Sequence, residues 1–146
     1  MKKLQFSIVI EAPKEKVWNV LWDDKTYREW TTPFCEGSHV VTDWKEGSKV
    51  LFLGPNGEGM FSEIAKNNEY EFMSFKHIGM YKDGKEQPLD EESKSWSGCF
   101  ENYTLKETNG KTTLQTDIDI VDSHYDYFNQ TFPLALEKVK EIAEKA

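Results

Sequence analysis

The strongest pattern in the chain is an amphipathic stripe at its C-terminal end. From Ser123 onward, apolar residues recur every three or four positions and charged residues occupy the other side, which is the spacing of a helix with one buried face. Ser123 and Asp126 have the spacing of an N-terminal cap. Pro133 lies too far inside for a first turn, so it predicts either a kink in one long helix, which we favour, or a break near Thr131. The predicted buried face consists of Phe128, Phe132, Leu136, Val139, Ile142 and Ala143.

The N-terminal part of the chain predicts one strand followed by two short helices. Alternation of apolar and polar residues makes residues 4–10 a strand with one buried face, and Ala12-Pro13 ends it. Pro13 fits the first position of a helix over residues 14–23, because its missing N–H has no partner to lose there. A second short helix over residues 25–30 brings Tyr27 and Trp30 toward the core.

Between Gly37 and Val121 apolar and polar residues alternate, which is the period of β-strands. Six segments rich in alternating apolar residues are separated by turns containing glycine or asparagine, which predicts an antiparallel meander. A bulge near Phe72 would turn both parities of the fourth segment inward. Met80–Ser95 contains Asp83-Gly84, a proline and many charges, so we interpret it as an exposed hairpin end or loop. The strand segments are 38–44, 48–54, 57–67, 69–79, 96–107 and 111–121.

These elements together predict a single α+β domain over residues 1–146. Each large apolar side chain that leaves water contributes roughly 1.5–3 kcal/mol, so the C-terminal helix needs a broad apolar partner. The strands between Ser38 and Val121 are the available surface. We therefore expect a curved antiparallel sheet wrapped around the long helix, with the functional site between them.

The net charge limits the classes of partner that this protein can bind, and the cysteine content indicates the cellular compartment. Lys and Arg total 18 against 26 Asp and Glu, a formal net charge of −8, so a nucleic-acid partner is not expected. Cys35 and Cys99 are too few and too far apart for a secreted disulfide framework, which favours a reducing cytoplasmic location. The first residues do not form a signal peptide, and no segment approaches the roughly 20 apolar residues of a membrane span.

The order of these elements resembles the helix-grip fold of the START-like (SRPBCC) superfamily. The segment from Ile8 to Trp30 is similar to the start of the AHSA1-type domains, named after the activator of Hsp90 ATPase. One departure is Trp30-Thr31-Thr32-Pro33-Phe34, where the family often has a shorter Trp-Pro sequence; it indicates an altered pocket rim. The matching positions are Ala12, Pro13, Val17, Trp18 and Trp30, the turns Asp43–Gly47 and Asn109–Thr112, Gly59, and Phe132-Pro133 with Leu136 and Lys140.

The resemblance implies a cavity between sheet and helix that binds a small hydrophobic or amphipathic molecule. Aromatic residues make up 14% of the chain, and aromatic side chains both fill cores and line such cavities. His77 and Tyr103 are the most informative candidates, because a buried imidazole or phenol needs a hydrogen-bond partner. The candidate ligand-binding residues are Trp30, Phe52, Met60, Phe75, His77, Trp96, Tyr103, Phe128 and Phe132.

The sequence contains no catalytic, cofactor or metal motif. The three histidines lack metal-ligand spacing, and neither a nucleophile elbow nor a phosphate or dinucleotide loop occurs. Two alternatives to ligand binding follow from the resemblance. One is an enzyme of the polyketide cyclase or dehydratase kind, with Tyr103, His77 and Glu101 in proton transfer, although an acid on a strand more often faces solvent. The other is a module that binds an Hsp90-type chaperone, as a monomer or homodimer.

Overall fold

The computed structural model describes residues 2–145 as a sheet of eight strands and four helices. In chain order these are β1 (Lys2–Ile10), α1 (Lys14–Trp22), α2 (Asp24–Trp30), β2 (His39–Val41), β3 (Lys49–Leu53), β4 (Gly59–Asn68), β5 (Phe72–Lys82), β6 (Lys85–Glu86), α3 (Glu91–Trp96), β7 (Phe100–Thr108), β8 (Lys111–Ile120) and α4 (Tyr125–Glu144). A single 3-10 turn, Asp122–His124, leads from β8 into α4.

The strands form one antiparallel sheet in the order β1-β8-β7-β5-β4-β3-β2, and β6 pairs with the end of β5. The N-terminal strand therefore joins the meander beside β8, where Leu4 lies opposite Ile118 and Ile8 opposite Leu114. Helices α1 and α2 follow β1, and the long α4 packs on β1, α1 and α2. This is the predicted α+β helix-grip architecture, with an antiparallel sheet against a C-terminal helix.

Helix α4 is continuous through Pro133, so the predicted break near Thr131 is wrong. Phe132, Leu136, Val139 and Ala143 are buried as the apolar stripe predicts, whereas Phe128 and Ile142 are half-buried. The predicted cap from Ser123 is also wrong. Ser123 lies inside the 3-10 turn, His124 occupies the cap position, and no side chain caps the helix there.

The first strand and the two short helices form as predicted. Leu4 and Ile10 of β1 are buried, and so are Val17, Val20 and Leu21 of α1. Pro13 occupies the cap position just before α1 rather than its first turn. Its missing N–H has no partner to lose in either position. Among the described residues, no helix combines the length and apolar character that a membrane crossing needs.

The bulge predicted near Phe72 is wrong. The register is regular at Phe72; the irregularities lie between β4 and β5, where Ala65 and Ile78 are the extra residues. The exposed hairpin end predicted within Met80–Ser95 is confirmed, since β5 and β6 pair around Asp83-Gly84, but the segment also contains a helix that was not predicted. β5 runs on to Lys82, and α3 begins after Asp90, whose carboxylate accepts from the Ser93 amide at 2.8 Å in a capping box. This capping box stabilises the start of α3. The charged sequence of the segment has no apolar periodicity from which the helix could be predicted.

Candidate functional site

Two adjoining cavities lie between the sheet and the first half of α4. The first has a volume of about 320 Å³ and the second about 390 Å³, both within the usual size range of small-molecule sites. Met60 on β4 and Glu101 on β7 line both cavities from the sheet side. Phe128 and Phe132 line both from α4, and Tyr127 is also shared. The helix therefore covers a space that its apolar face does not fill.

The first cavity is bounded by aromatic side chains of α1, α2 and the sheet. Trp22, Tyr27 and Trp30 approach from the short helices, and Phe52 and Tyr103 from β3 and β7. Their rings pack edge to face: the Trp22 and Tyr103 centroids are 4.9 Å apart and nearly perpendicular. Such contacts hold large side chains in fixed orientations, so this wall is rigidly shaped.

The second cavity lies toward α3 and the start of β7. Its lining includes side chains of β5, α3 and β8: His77, Met80, Trp96, Ile118, Asp119 and Ile120. Its walls are apolar except for His77, His124, Cys99 and three carboxyl groups. Helix α3, which the sequence pattern did not indicate, therefore supplies part of the wall.

The structure brings the predicted site residues together, with one exception. Trp30, Phe52 and Tyr103 line the first cavity, His77 and Trp96 the second, and Met60, Phe128 and Phe132 both. Phe75 lines neither: it is fully buried and packs against Trp22 and Phe52 at centroid distances of 5.3 and 5.1 Å. Phe75 thus supports the wall of the first cavity from behind.

A chain of four polar side chains crosses three neighbouring strands at the junction of the cavities. The Tyr103 hydroxyl donates to Glu101 Oε2, and His77 Nε2 lies 3.0 Å from Glu101 Oε1. His77 Nδ1 lies 2.7 Å from the hydroxyl of Ser62, its register partner on β4. Because a carboxylate only accepts, a neutral imidazole in this position carries its proton on Nε2 and accepts at Nδ1 from the Ser62 hydroxyl.

The irregular pairing of β4 and β5 positions this chain. Phe61 pairs with Gly79 and Ser62 with His77, so Ile78 is an extra residue that shifts the face on which His77 projects. Glu101 and Tyr103 are two residues apart on β7 and share a face. Glu101 is therefore not the surface acid that strand acids usually are. Its side chain is 21% exposed and borders both cavities.

Burial fixes the protonation state of the two phenols near this carboxylate. Burial, and then the charge and hydrogen bond of Glu101, raise the pKa of Tyr103 well above its usual value. Burial and the Glu101 charge likewise raise the pKa of Tyr27. Both phenols are protonated at neutral pH, and Tyr103 acts as a hydrogen-bond donor.

Ser62, His77 and Glu101 are connected in the same order as the serine, histidine and carboxylate of a nucleophilic triad. Their geometry excludes nucleophilic attack by Ser62. Ser62 is fully buried and is absent from the lining of both cavities, so its hydroxyl cannot reach a bound molecule. Ser62 instead orients His77, and His77 with Tyr103 orients Glu101. Of these four residues, Glu101 is the one that lines both cavities.

A group of aromatic side chains that includes Phe34, Tyr127 and Phe132 borders the first cavity beside α4. Phe34, which follows α2, packs against Phe132 at a centroid distance of 5.0 Å, and the Tyr127 hydroxyl donates to the Phe34 carbonyl at 2.9 Å. Sequence reasoning did not select Phe34, Tyr127, Trp22 or Ser62 as site residues. The one available signal was the departure at Trp30–Phe34, which predicted a changed rim.

The described residues contain no group of His, Cys, Asp and Glu side chains that could hold a metal ion. In the second cavity, burial raises the pKa of the Cys99 thiol. The pKa of Asp119 lies below its ordinary value. Burial alone would raise it, but hydrogen bonds from Lys3 and from the Phe100 amide to the carboxylate have the larger, opposite effect.

Solved structures with the same fold match the chain over nearly its whole length. Protein MLL2253 from Mesorhizobium loti superposes with a TM-score of 0.77 at 15% sequence identity, covering 99% of this chain and 98% of that one. The Aha1 dimer from Colwellia psychrerythraea gives 0.74 at 19%, with the same coverage. DynU16, a protein in the dynemicin biosynthetic locus, gives 0.73 at 15%, covering 99% of this chain and 48% of that one.

No family model matches the chain, and the comparison with curated proteins found no match. At the identities of the solved structures, the likeness concerns the fold. The predicted α+β helix-grip fold is confirmed at that level, whereas the AHSA1-type family stays a prediction.

Proposed function

We propose that this protein binds a small hydrophobic or amphipathic molecule in the space between the sheet and α4. The observation that carries the proposal is the pair of adjoining cavities, walled mainly by aromatic and aliphatic side chains beneath the helix. Apolar walls with a few oriented polar groups are typical of small-molecule sites, because burial supplies affinity and the polar groups fix orientation. Here Glu101 is the oriented polar group.

Filling the shared part of the two cavities tests this proposal. Met60 lines both cavities and is half-buried, so Met60→Trp should occupy the space where a ligand would lie. We expect this variant to bind the neutral fluorescent probe N-phenyl-1-naphthylamine at least about tenfold more weakly than the wild type.

Val41→Trp is the matched control, since Val41 is on β2, two strands away from the β4 strand of Met60, and is 51% exposed. It adds an equally large ring outside the cavities and should leave probe affinity unchanged. Equal affinity of Met60→Trp and the wild type, with both variants folded by circular dichroism, would exclude the cavities as the binding site.

Catalysis of the cyclase or dehydratase kind is a second candidate, favoured by the contact between His77 and Glu101 beside the cavities. A carboxylate paired with an imidazole can move a proton within a bound molecule. This candidate predicts that Glu101→Gln abolishes turnover of a polyketide-like substrate while substrate binding persists. Turnover that survives in Glu101→Gln would reject it.

A chaperone partner, which the resemblance implies, stays a prediction, and so does the choice between monomer and homodimer. The Aha1 dimer, which has the same fold, supports the homodimer. Analytical ultracentrifugation of the protein alone, and with an Hsp90-type chaperone, would detect each assembly.

A further inference from the structure

The lining of the two cavities contains acidic side chains but, among the described residues, neither lysine nor arginine. Its basic side chains are the imidazoles of His39, His77 and His124. Three acids, Glu92, Glu101 and Asp119, are part of it. Asp119 is paired with Lys3 at 2.8 Å, and Glu92 is exposed to solvent. Glu101 is the acid that lines both cavities, and within residues 2–145 its side-chain partners are the Tyr103 hydroxyl and the His77 imidazole, with no lysine or arginine.

Glu101 is built to accept a further hydrogen bond. A carboxylate has about four lone-pair sites, and Tyr103 and His77 occupy two of them. Both donors are held in place, Tyr103 by ring contacts with Trp22 and His77 by the hydrogen bond with Ser62. The remaining sites border the space that both cavities share. A donor on a bound molecule would therefore meet a preoriented acceptor.

We infer that the ligand is a protonated amine on an apolar body and that Glu101 binds its ammonium group at the junction of the cavities. This inference rests on the proposed function. An ammonium donates to the free carboxylate sites, and a charge-assisted bond is roughly twice as strong as a neutral one. Aromatic side chains, among them Trp30 and Phe132, are part of the same lining, and aromatic rings attract cations.

The same arrangement disfavours acidic amphiphiles such as fatty acids. A ligand carboxylate in the shared space would lie close to Glu101 with no lysine or arginine in the lining to neutralise it. Two close anions in a partly desolvated site repel each other strongly. The cavities therefore select a head group by its sign as well as an apolar tail.

Three ligands with the same ten-carbon chain separate these possibilities: decylammonium, decanol and decanoate. Displacement of N-phenyl-1-naphthylamine and calorimetry, below the concentrations at which these amphiphiles self-associate, should show decylammonium binding about tenfold more tightly than decanol. Decanoate should bind more weakly than decanol. In Glu101→Gln the preference for decylammonium over decanol should disappear, because the amide still accepts from Tyr103 but carries no charge.

Glu63→Gln is the matched control, because Glu63 is exposed on β4 and lies outside both cavities. It makes the same charge change and should keep the preference. If decanol binds but decylammonium binds no better, or if decanoate binds most tightly, the inference is wrong and the proposed function stands. If none of the three ligands binds, both are wrong. Should Glu101→Gln fail to fold, the ranking of the three ligands on the wild type still decides.

Discussion

Tyr103 shows how a single buried side chain both packs the core and carries a polar role. Its ring contacts Trp22 and Trp30, and its hydroxyl donates to Glu101. Because the residue is 1% exposed, the hydroxyl would lack any partner without that carboxylate. Glu101 therefore stabilises the fold as well as forming the proposed ligand contact.

Replacing Tyr103 by Phe keeps the ring and removes this donor. We expect a loss of about 1–2 kcal/mol in the free energy of unfolding, since Glu101 loses a charge-assisted hydrogen bond in a partly desolvated position. Tyr27→Phe is the control, because burial and the Glu101 charge raise the pKa of Tyr27 without a hydrogen bond to Glu101, and it should lose less. Equal losses in urea denaturation would contradict the role assigned to Tyr103.

At the scale of single elements, the β3–β4 hairpin forms a wall of the first cavity through Phe52 and Met60, which lie opposite each other. Gly59 permits that close pairing, because a Cβ at this position would lie 1.9 Å from the Phe52 carbonyl oxygen. The sequence identified Gly59 through its place in the family pattern, but this steric reason became visible only with the paired backbone.

Gly59→Ala should therefore force the two strands apart, with a loss of about 3 kcal/mol in the free energy of unfolding. Gly57→Ala, in the preceding turn, has no atom within 4 Å of the added Cβ but a φ of +78°. It should lose only about 1 kcal/mol from backbone strain. Thermal and urea denaturation measure both, and a larger loss for Gly57→Ala would refute the steric argument.

The elements differ in how well their sequences predicted them. Helix α4 and strand β1 were predicted from periodicity, because each buries one face against a large apolar surface. Helix α3 was missed because its six residues are mostly polar and it depends on the Asp90–Ser93 capping box. The bulge at Ile78 was misplaced to Phe72, since pairing between strands determines such irregularities and local alternation does not.

For the whole molecule, the sequence predicted the architecture and most of the cavity lining but not the polar chain as a unit. His77 and Tyr103 were selected by strand parity, and Glu101 was grouped with them only in the enzyme alternative, whereas Ser62 was not selected. Their hydrogen bonds join β4, β5 and β7. Contacts between residues so distant in sequence follow from strand order and register, which a single sequence does not specify.

The whole-molecule stability should fall in acid, in part through Asp119. Its folded-state pKa is depressed, so its contribution is present above the unfolded-state pKa of about 3.9 and is lost as the pH falls through the folded-state value. Asp119→Asn should lower the free energy of unfolding by about 1 kcal/mol at neutral pH and reduce its further loss in acid. Urea denaturation between pH 7 and pH 3 measures this, and identical acid dependence in both proteins would contradict it.

The central claim is that ligands occupy the space between the sheet and α4, and the methionine methyl groups report on it directly. Met60 lines both cavities and Met80 the second, whereas Met73 is 1% exposed and lines neither. We propose to titrate methyl-labelled protein with decanol and to follow the methionine methyl signals by NMR. The Met60 and Met80 methyl signals should shift, and the chemical shift of the Met73 methyl group should not change. Binding of decanol that leaves the Met60 and Met80 signals in place, or shifts that of Met73 equally, would contradict the account.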